Sequence, residues 1–411
     1  MPNRFNLNAW VNTLFPISWK QPPTDWVWGL IFFWAIPGVT WVAVWIPLLL
    51  FVAWKEGRIN PNKNNWDAWN YSAVLVFLWM LVGALLSEPT HDPWHLIEQK
   101  LSWVVFPILI FFIPTQLSKA QAIKLFASGI AMACILMFLV ALLNQILQAD
   151  GDIWTGSDFT KPFHRSYWAA YAFFAGLYFL NDWMSRKKWS TFLVSIGLML
   201  TVFLSESKAG VLMALILLPI FLVLKGVELL KISRKKMIGW TAGIAVLLGL
   251  VFVFTPQLNY RFQSALRGMN QIKWENNPSE ESTQARLLMW NAAWLSWNES
   301  PWIGHGLADA NYEMQRWNVV MNNSGVVESR LNAHNQFLQV MVQGGLIALI
   351  LLGFWLGVLW FKATLGWMRW WWVIILISLL FEAFFETRLG LLPVMIFALV
   401  WKLNDKETTR A

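Results

Sequence analysis

His334 and Asn335 stand at the mouth of a long apolar run: "NAHNQFLQVMVQGG", residues 332–345, leads straight into "LIALILLGFWLGVLWF". An imidazole at a membrane interface can take a proton from a neighbouring hydroxyl, and Asn335 could orient the ring or that hydroxyl. Elsewhere, cations stand where they are costly: Lys161 and Arg165 in "TKPFHRSYWAAY", Lys208 in "LSESKAGVLMAL", and Arg388 in "FFETRLG". Lys208 joins two apolar runs within a few residues, close to hydrocarbon, so it needs a partner. Glu206 is one candidate. An anion held by cations converging from separate loops is the other.

The elements that must position these residues are membrane helices. The chain is 57% hydrophobic and 13% charged, with mean hydropathy +0.48, whereas a soluble protein is about a quarter charged. Apolar runs fall at roughly 26–37, 39–53, 67–87, 98–115, 121–147, 168–184, 189–205, 209–226, 238–255, 336–361, 370–386 and 390–402. These lengths predict an all-α polytopic membrane protein of about 12 transmembrane helices. The first two runs meet at Pro37-Gly38, and one long helix is the rival reading there. The opening residues lack the apolar core of a signal peptide, so the first helix is expected to direct insertion. Many of the 31 tryptophans lie at run ends (Trp26, Trp66, Trp189 and Trp370 among them), where indole favours the interface. Cys134 is the one cysteine, so no internal disulfide can form.

Charge fixes the orientation, because short cytoplasmic loops collect Lys and Arg. With twelve helices and both termini in the cytoplasm, most of the 31 basic residues lie inside, including Arg4, Lys20, Lys406 and Arg410 in the tails. Short outer loops keep only Lys100, Lys161, Arg165, Lys208 and Arg388. The net charge of +8 is thus a topology signal that calls for no nucleic-acid partner. Residues 1–256 are expected to carry about nine helices, 257–335 an outer segment, and 336–411 about three helices and a cytoplasmic tail. All five histidines, His91, His95, His164, His305 and His334, then face outward.

Within the outer segment, "STQARLLMWNAAWLSWNESP" predicts a helix capped by Ser282 or Thr283 and ending before Pro301. Arg286, Trp290, Ala293, Trp294 and Trp297 share one face of it, as suits a helix lying along the membrane surface. "PWIGHGLADANY" predicts a tight turn in preference to a phosphate-binding loop. "HDPWH" (His91, Asp92, His95) offers weak metal-ligand spacing, and Asp152 and Asp158 are too far apart for a metal-binding pair.

Taken together, "AHNQFLQVMVQGGLIALILL" after "ARLLMWNAAWLSWNESPWIGHG" resembles the O-antigen ligase and polymerase superfamily of bacterial inner membranes. The resemblance spans roughly 160–390. The ligase motif reads here as His334, Asn335, the stretch Gln336 to Gly344, Gly345, Leu346-Ile347, and Ala348 where Gly, Thr or Tyr is usual. Arg286 and Trp290, then Pro301, Gly304 and Gly306, match the family's outer segment. Lys208 stands where the family commonly has arginine, which keeps the charge but loses the bidentate fork.

The resemblance implies a GT-C-like membrane glycosyltransferase in the Gram-negative inner membrane, with interfacial helices in a periplasmic segment and a periplasmic site. Its donor would be an undecaprenyl diphosphate-linked glycan and its acceptor the lipid A–core oligosaccharide. His334 would act as base. Arg286, Lys208, Arg165 and Arg388, with Asn335, would hold the diphosphate and substrate. Neither a cofactor nor a metal is expected, because these cations can neutralise a diphosphate. The same family includes O-antigen polymerases and protein O-oligosaccharyltransferases. A lipid-linked glycan transporter is the rival from another class, and it would place ionisable residues at mid-membrane.

Overall fold

The computed structural model describes residue 17 and residues 21–61, 66–147, 156–161, 163–254, 256–279, 281–327, 332–363 and 366–403. Arg4, Lys20, Asp152, Lys406 and Arg410 lie outside them. Every element in the described residues is helical: α1 (Pro23–Trp34), α2 (Val42–Lys55), α3 (Ala68–Leu86), α4 (Pro93–Lys100), α5 (Ser102–Phe112), α6 (Lys119–Ile146), α7 (Gly156–Thr160), α8 (Arg165–Arg186) and α9 (Trp189–Leu204). Then follow α10 (Lys208–Leu230), α11 (Arg234–Phe254), α12 (Pro256–Asn270), α13 (Ser282–Glu299), α14 (Ala310–Val320), α15 (Ser324–Val327), α16 (Gln336–Lys362), α17 (Gly366–Phe381) and α18 (Arg388–Ala398). The first apolar run divides at Pro37-Gly38: α1 stops at Trp34, and a short 3-10 turn precedes α2.

Five stretches among the described residues are long and apolar enough to cross a membrane: Ala68–Leu86, Pro93–Phe112, Lys119–Ile146, Lys208–Leu230 and Gln336–Lys362. Val39–Lys55, Trp189–Leu204 and Gly366–Phe381 are shorter apolar helices. The protein is therefore a helical membrane protein. α8, which lies in another run expected to span, is more polar than these five. α8 shows why a central helix can be less hydropathic: its Ala169, Ala170, Ala172 and Ala175 are fully enclosed by protein and meet little lipid. Small side chains let α6, α9, α10 and α17 approach its backbone, and Ser195 of α9 donates to the Gly176 carbonyl at 2.8 Å.

The outer helix predicted from tryptophan spacing is α13, and it does end before Pro301. Its cap differs from expectation. Glu281, one residue earlier, accepts the Thr283 and Gln284 amides at 2.8 and 3.0 Å, because its carboxylate is also tethered by Lys208. Leu288, Met289, Ala292 and Ala293 form its buried side, while Trp294 is exposed.

α16 is broken at Gly345, whose backbone (φ 66°, ψ −162°) is non-helical. The Gly-rich turn fills the break. His305 and Gly306 amides donate to the Val342 and Gln343 carbonyls at 2.9 and 3.1 Å, while Leu346 and Ile347 donate to Pro301 and Trp302 at 2.8 and 3.4 Å. Groups that a break would orphan are thus paired. The same bonds consume the turn's amides, so it acts as a packing element, as expected. A Cβ on Gly345 would lie 2.2 Å from the Trp302 backbone. Gly345→Ala should therefore cost at least roughly 1–3 kcal/mol in backbone strain, with the clash added. A much lower melting temperature or failure to accumulate is expected, and wild-type thermal stability would refute this account of the break.

Candidate functional site

The starts of α8, α10, α13 and α16 and the end of α17 gather at one end of the bundle, around Glu382. This carboxylate, one residue beyond α17, is 3% exposed. Its Oε1 accepts Arg286 Nη2 at 2.7 Å and the Ser166 hydroxyl at 3.0 Å; its Oε2 lies 3.1 Å from His334 Nδ1. Burial alone would raise this carboxyl. The His334 hydrogen bond and the Arg286 charge outweigh it and hold the group at about 2. Glu382 is thus an anion that binds a cation on one oxygen and an imidazole on the other.

That arrangement sets the tautomer of His334. An ionised carboxylate only accepts, so Nδ1 carries a proton, and in the neutral imidazole it is Nε2 that keeps the lone pair. The backbone of His334 is left-handed (φ 45°), uncommon for a residue with a side chain. Asn332 Oδ1 secures it by accepting the His334 amide at 2.9 Å. Asn335 caps α16, accepting the Phe337 and Leu338 amides at 3.0 and 3.1 Å. Its amide nitrogen donates to Leu380 O at 3.1 Å. Asn335 therefore ties the start of α16 to the end of α17, which fixes the spacing between His334 and Glu382.

A second carboxylate anchors the connection after α17. Glu386 accepts the buried Lys100 ammonium at 3.0 Å, Gln336 at 3.1 Å and Gln343 at 2.9 Å. Lys100, which sequence assigns to an outer loop, thus has a partner at depth.

Beside this cluster lies a cavity of about 460 Å³. Arg165, Lys208, Arg261 and Arg286 are in its wall, with the beginnings of α8, α10 and α13 (Ser166, Ser207, Ser282 and Thr283). Three helix N-termini add positive partial charge there. Leu212, Phe262, Leu266, Leu287, Trp290 and Phe381 make the apolar side. Three of the cations are paired: Arg286 with Glu382, Arg261 with Glu206 at 2.7 Å, and Lys208 with Glu281 at 2.9 Å. No carboxylate among the described residues lies within ion-pair distance of Arg165, leaving one positive charge in excess.

The predicted residues thus fall into groups. Arg165, Lys208 and Arg286 share the cavity, and His334 is joined to it through Glu382. Lys208 is less free than its position suggested: its ammonium donates to Glu281 at 2.9 Å, Ser282 at 3.0 Å and Thr283 at 2.9 Å, which uses all three N–H bonds. It pins α10 to α13. Arg388 is absent from the cavity wall and pairs with Glu98 at 2.5 Å, half-exposed. The "HDPWH" histidines diverge. His91 bonds Asp309 at 2.7 Å and stacks on Tyr312, while His95 meets Gln99. Among the described residues no three His, Cys, Asp or Glu side chains converge as metal ligands.

Sequence reasoning missed Glu382 and Arg261. For Glu382 a signal existed, since it is a carboxylate within the apolar run 370–386, where an ionisable group marks a site by default. Arg261 has no such signal, being one of several cations in the long outer segment.

No curated protein matches the chain. A family model described as O-antigen ligase matches residues 192–353, a stretch that contains Lys208, Arg261, Arg286, His334 and Asn335, while Arg165 and Glu382 join the same cluster from outside it. The polar helix ends around His334 therefore lie largely within the stretch of the chain that is similar to the O-antigen ligase family.

Proposed function

We propose that the protein is an O-antigen ligase, moving a glycan from undecaprenyl diphosphate to the lipid A–core oligosaccharide at the periplasmic face of the Gram-negative inner membrane. The observation that carries this is Glu382 joining His334 to Arg286. One carboxylate aligns a proton acceptor and orients a cation beside an amphiphilic cavity. His334 Nε2 takes the proton of the acceptor hydroxyl, and the oxygen attacks the anomeric carbon from the side opposite the diphosphate. The bond from that carbon to the phosphate oxygen breaks, and undecaprenyl diphosphate leaves with the electron pair. Glu382 stabilises the imidazolium that forms. Arg286, Arg165 and the helix N-termini hold the charge growing on the leaving group. Displacement from the opposite side inverts the anomeric centre.

Purified protein given a lipid-linked repeat unit and, separately, lipid A–core or a second repeat unit should extend only lipid A–core. Extension of the repeat unit alone would make it a polymerase. A glycan passed to a protein would make it an O-oligosaccharyltransferase. Because cations of the chain sit where the leaving group is expected, transfer should survive EDTA. Activity abolished by EDTA and restored by magnesium or manganese would overturn the metal-independent scheme.

A further inference from the structure

α12 forms much of the cavity's apolar side through Phe262, Ala265, Leu266 and Met269, and on the same helix Arg261 faces Glu206. Arg261 Nη1 donates to Glu206 Oε2 at 2.7 Å and to the Glu206 carbonyl at 3.1 Å. Both side chains are largely enclosed, at 20% and 15% exposure, and both lie in the cavity wall. Glu206 itself holds a left-handed backbone (φ 51°) in the short connection before Lys208.

A carboxylate is an awkward neighbour in a cavity that takes a diphosphate, because it repels the ligand unless its charge is matched. Here the match is borrowed from a residue that would serve the ligand as well. Arg261 makes both bonds with one nitrogen, so the rest of the guanidinium fork is not used by them, and a fork binds phosphate oxygens in pairs. Arg165 and Arg286 share the cavity, which places three guanidiniums on one space, with Glu206 in the same wall and Glu382 bound to Arg286. A doubly charged group offers Arg261 more than a single carboxylate does.

We infer that Arg261 is a further donor-binding residue, held by Glu206 while the cavity is free and passed to a phosphate of the lipid-linked donor when it enters. This deepens the ligase reading and rests on it. The exchange also gives α12 a role: the helix that bounds the apolar side of the cavity carries the cation that senses an anion inside. A plain strut between α12 and the Glu206 connection is the competing account, and it predicts the opposite sign for one substitution.

The test uses the full-length protein in lipid nanodiscs and compares binding of a synthetic polyprenyl diphosphate with that of the uncharged polyprenol, alongside melting temperatures. Arg261→Met should weaken the diphosphate about tenfold or more, and Arg261→Lys several-fold, with polyprenol unchanged. Glu206→Gln removes the competitor and should tighten the diphosphate several-fold. If Glu206→Gln weakens binding as much as Arg261→Met, or Arg261→Met binds like wild type, the exchange is wrong. Should Glu206→Gln prove unstable, Arg261→Lys decides: a strut predicts wild-type binding from it, whereas the exchange predicts loss. Wild-type protein that holds the diphosphate no better than polyprenol would overturn both this inference and the donor site beneath it. Wild-type preference with unaffected variants would overturn the inference alone.

Discussion

His334→Gln is expected to insert, fold and bind the lipid-linked donor, yet to transfer glycan some 10²–10⁴-fold more slowly, the usual contribution of a general base. Glutamine can still donate an amide hydrogen to Glu382, so the link between α16 and α17 persists, but it cannot take a proton from the acceptor. His334→Asn is a useful companion, because asparagine tolerates the left-handed backbone that residue 334 adopts. A histidine that merely ties the outer segment to its helix would give another pattern: lower melting temperature, poor accumulation, and ordinary turnover in the protein that folds. Turnover of purified, folded variant against donor binding separates the two. Near-normal transfer by a folded His334→Gln protein would remove the imidazole from the mechanism.

Glu382→Gln should damage both chemistry and fold. The amide offers His334 an acceptor without charge, so the imidazolium loses its stabilising anion, and transfer should fall about 10²-fold or more. Arg286 loses its counter-ion at 2.7 Å. Breaking a buried pair costs roughly 3–5 kcal/mol, and less here because the Arg286 side chain keeps 25% of its exposure. The pH dependence has a definite sign. A carboxyl held at about 2 in the folded protein contributes stability that is complete above the ordinary carboxylate range. That contribution is lost as pH falls through the range toward about 2. The wild-type melting temperature should therefore drop between about pH 5 and pH 2, and that of Glu382→Gln should drop less. Equal acid sensitivity in both proteins, or wild-type turnover in the variant, would show that the carboxylate is not the link between base and cation.

Several features of this site were legible in the chain because they depend on neighbours in sequence. Partition into a bilayer is close to a sum over adjacent side chains, so apolar runs announce helices such as α6, α10 and α16. The period of Trp290, Trp294 and Trp297 and the proline at 301 mark α13 almost to its ends. The paired glycines at 304 and 306 read as a turn, and φ values of 69° and 110° show why glycine is required there. His334 at the mouth of an apolar run stood out for the same local reason. So did the need of Lys208 for a partner.

The identity of partners was a different matter. Lys208 could have met Glu206 or an anion; folding gave it Glu281, 73 positions away, with Ser282 and Thr283. Glu206 went to Arg261 instead. Arg286 and His334, 48 positions apart in sequence, came to the two oxygens of Glu382 from α13 and from the turn before α16, and Asn335 went to capping and to Leu380. A charge near hydrocarbon must be compensated, and that demand can be read from one residue and its surroundings. Which opposite charge answers it depends on how helix ends meet across the bundle, through packing contacts such as the Gly345 break and the buried alanines of α8. Those contacts are non-local. The sequence by itself therefore determined that this protein has membrane helices and a histidine at one helix mouth, while only the tertiary structure decided that Glu382 joins that histidine to Arg286.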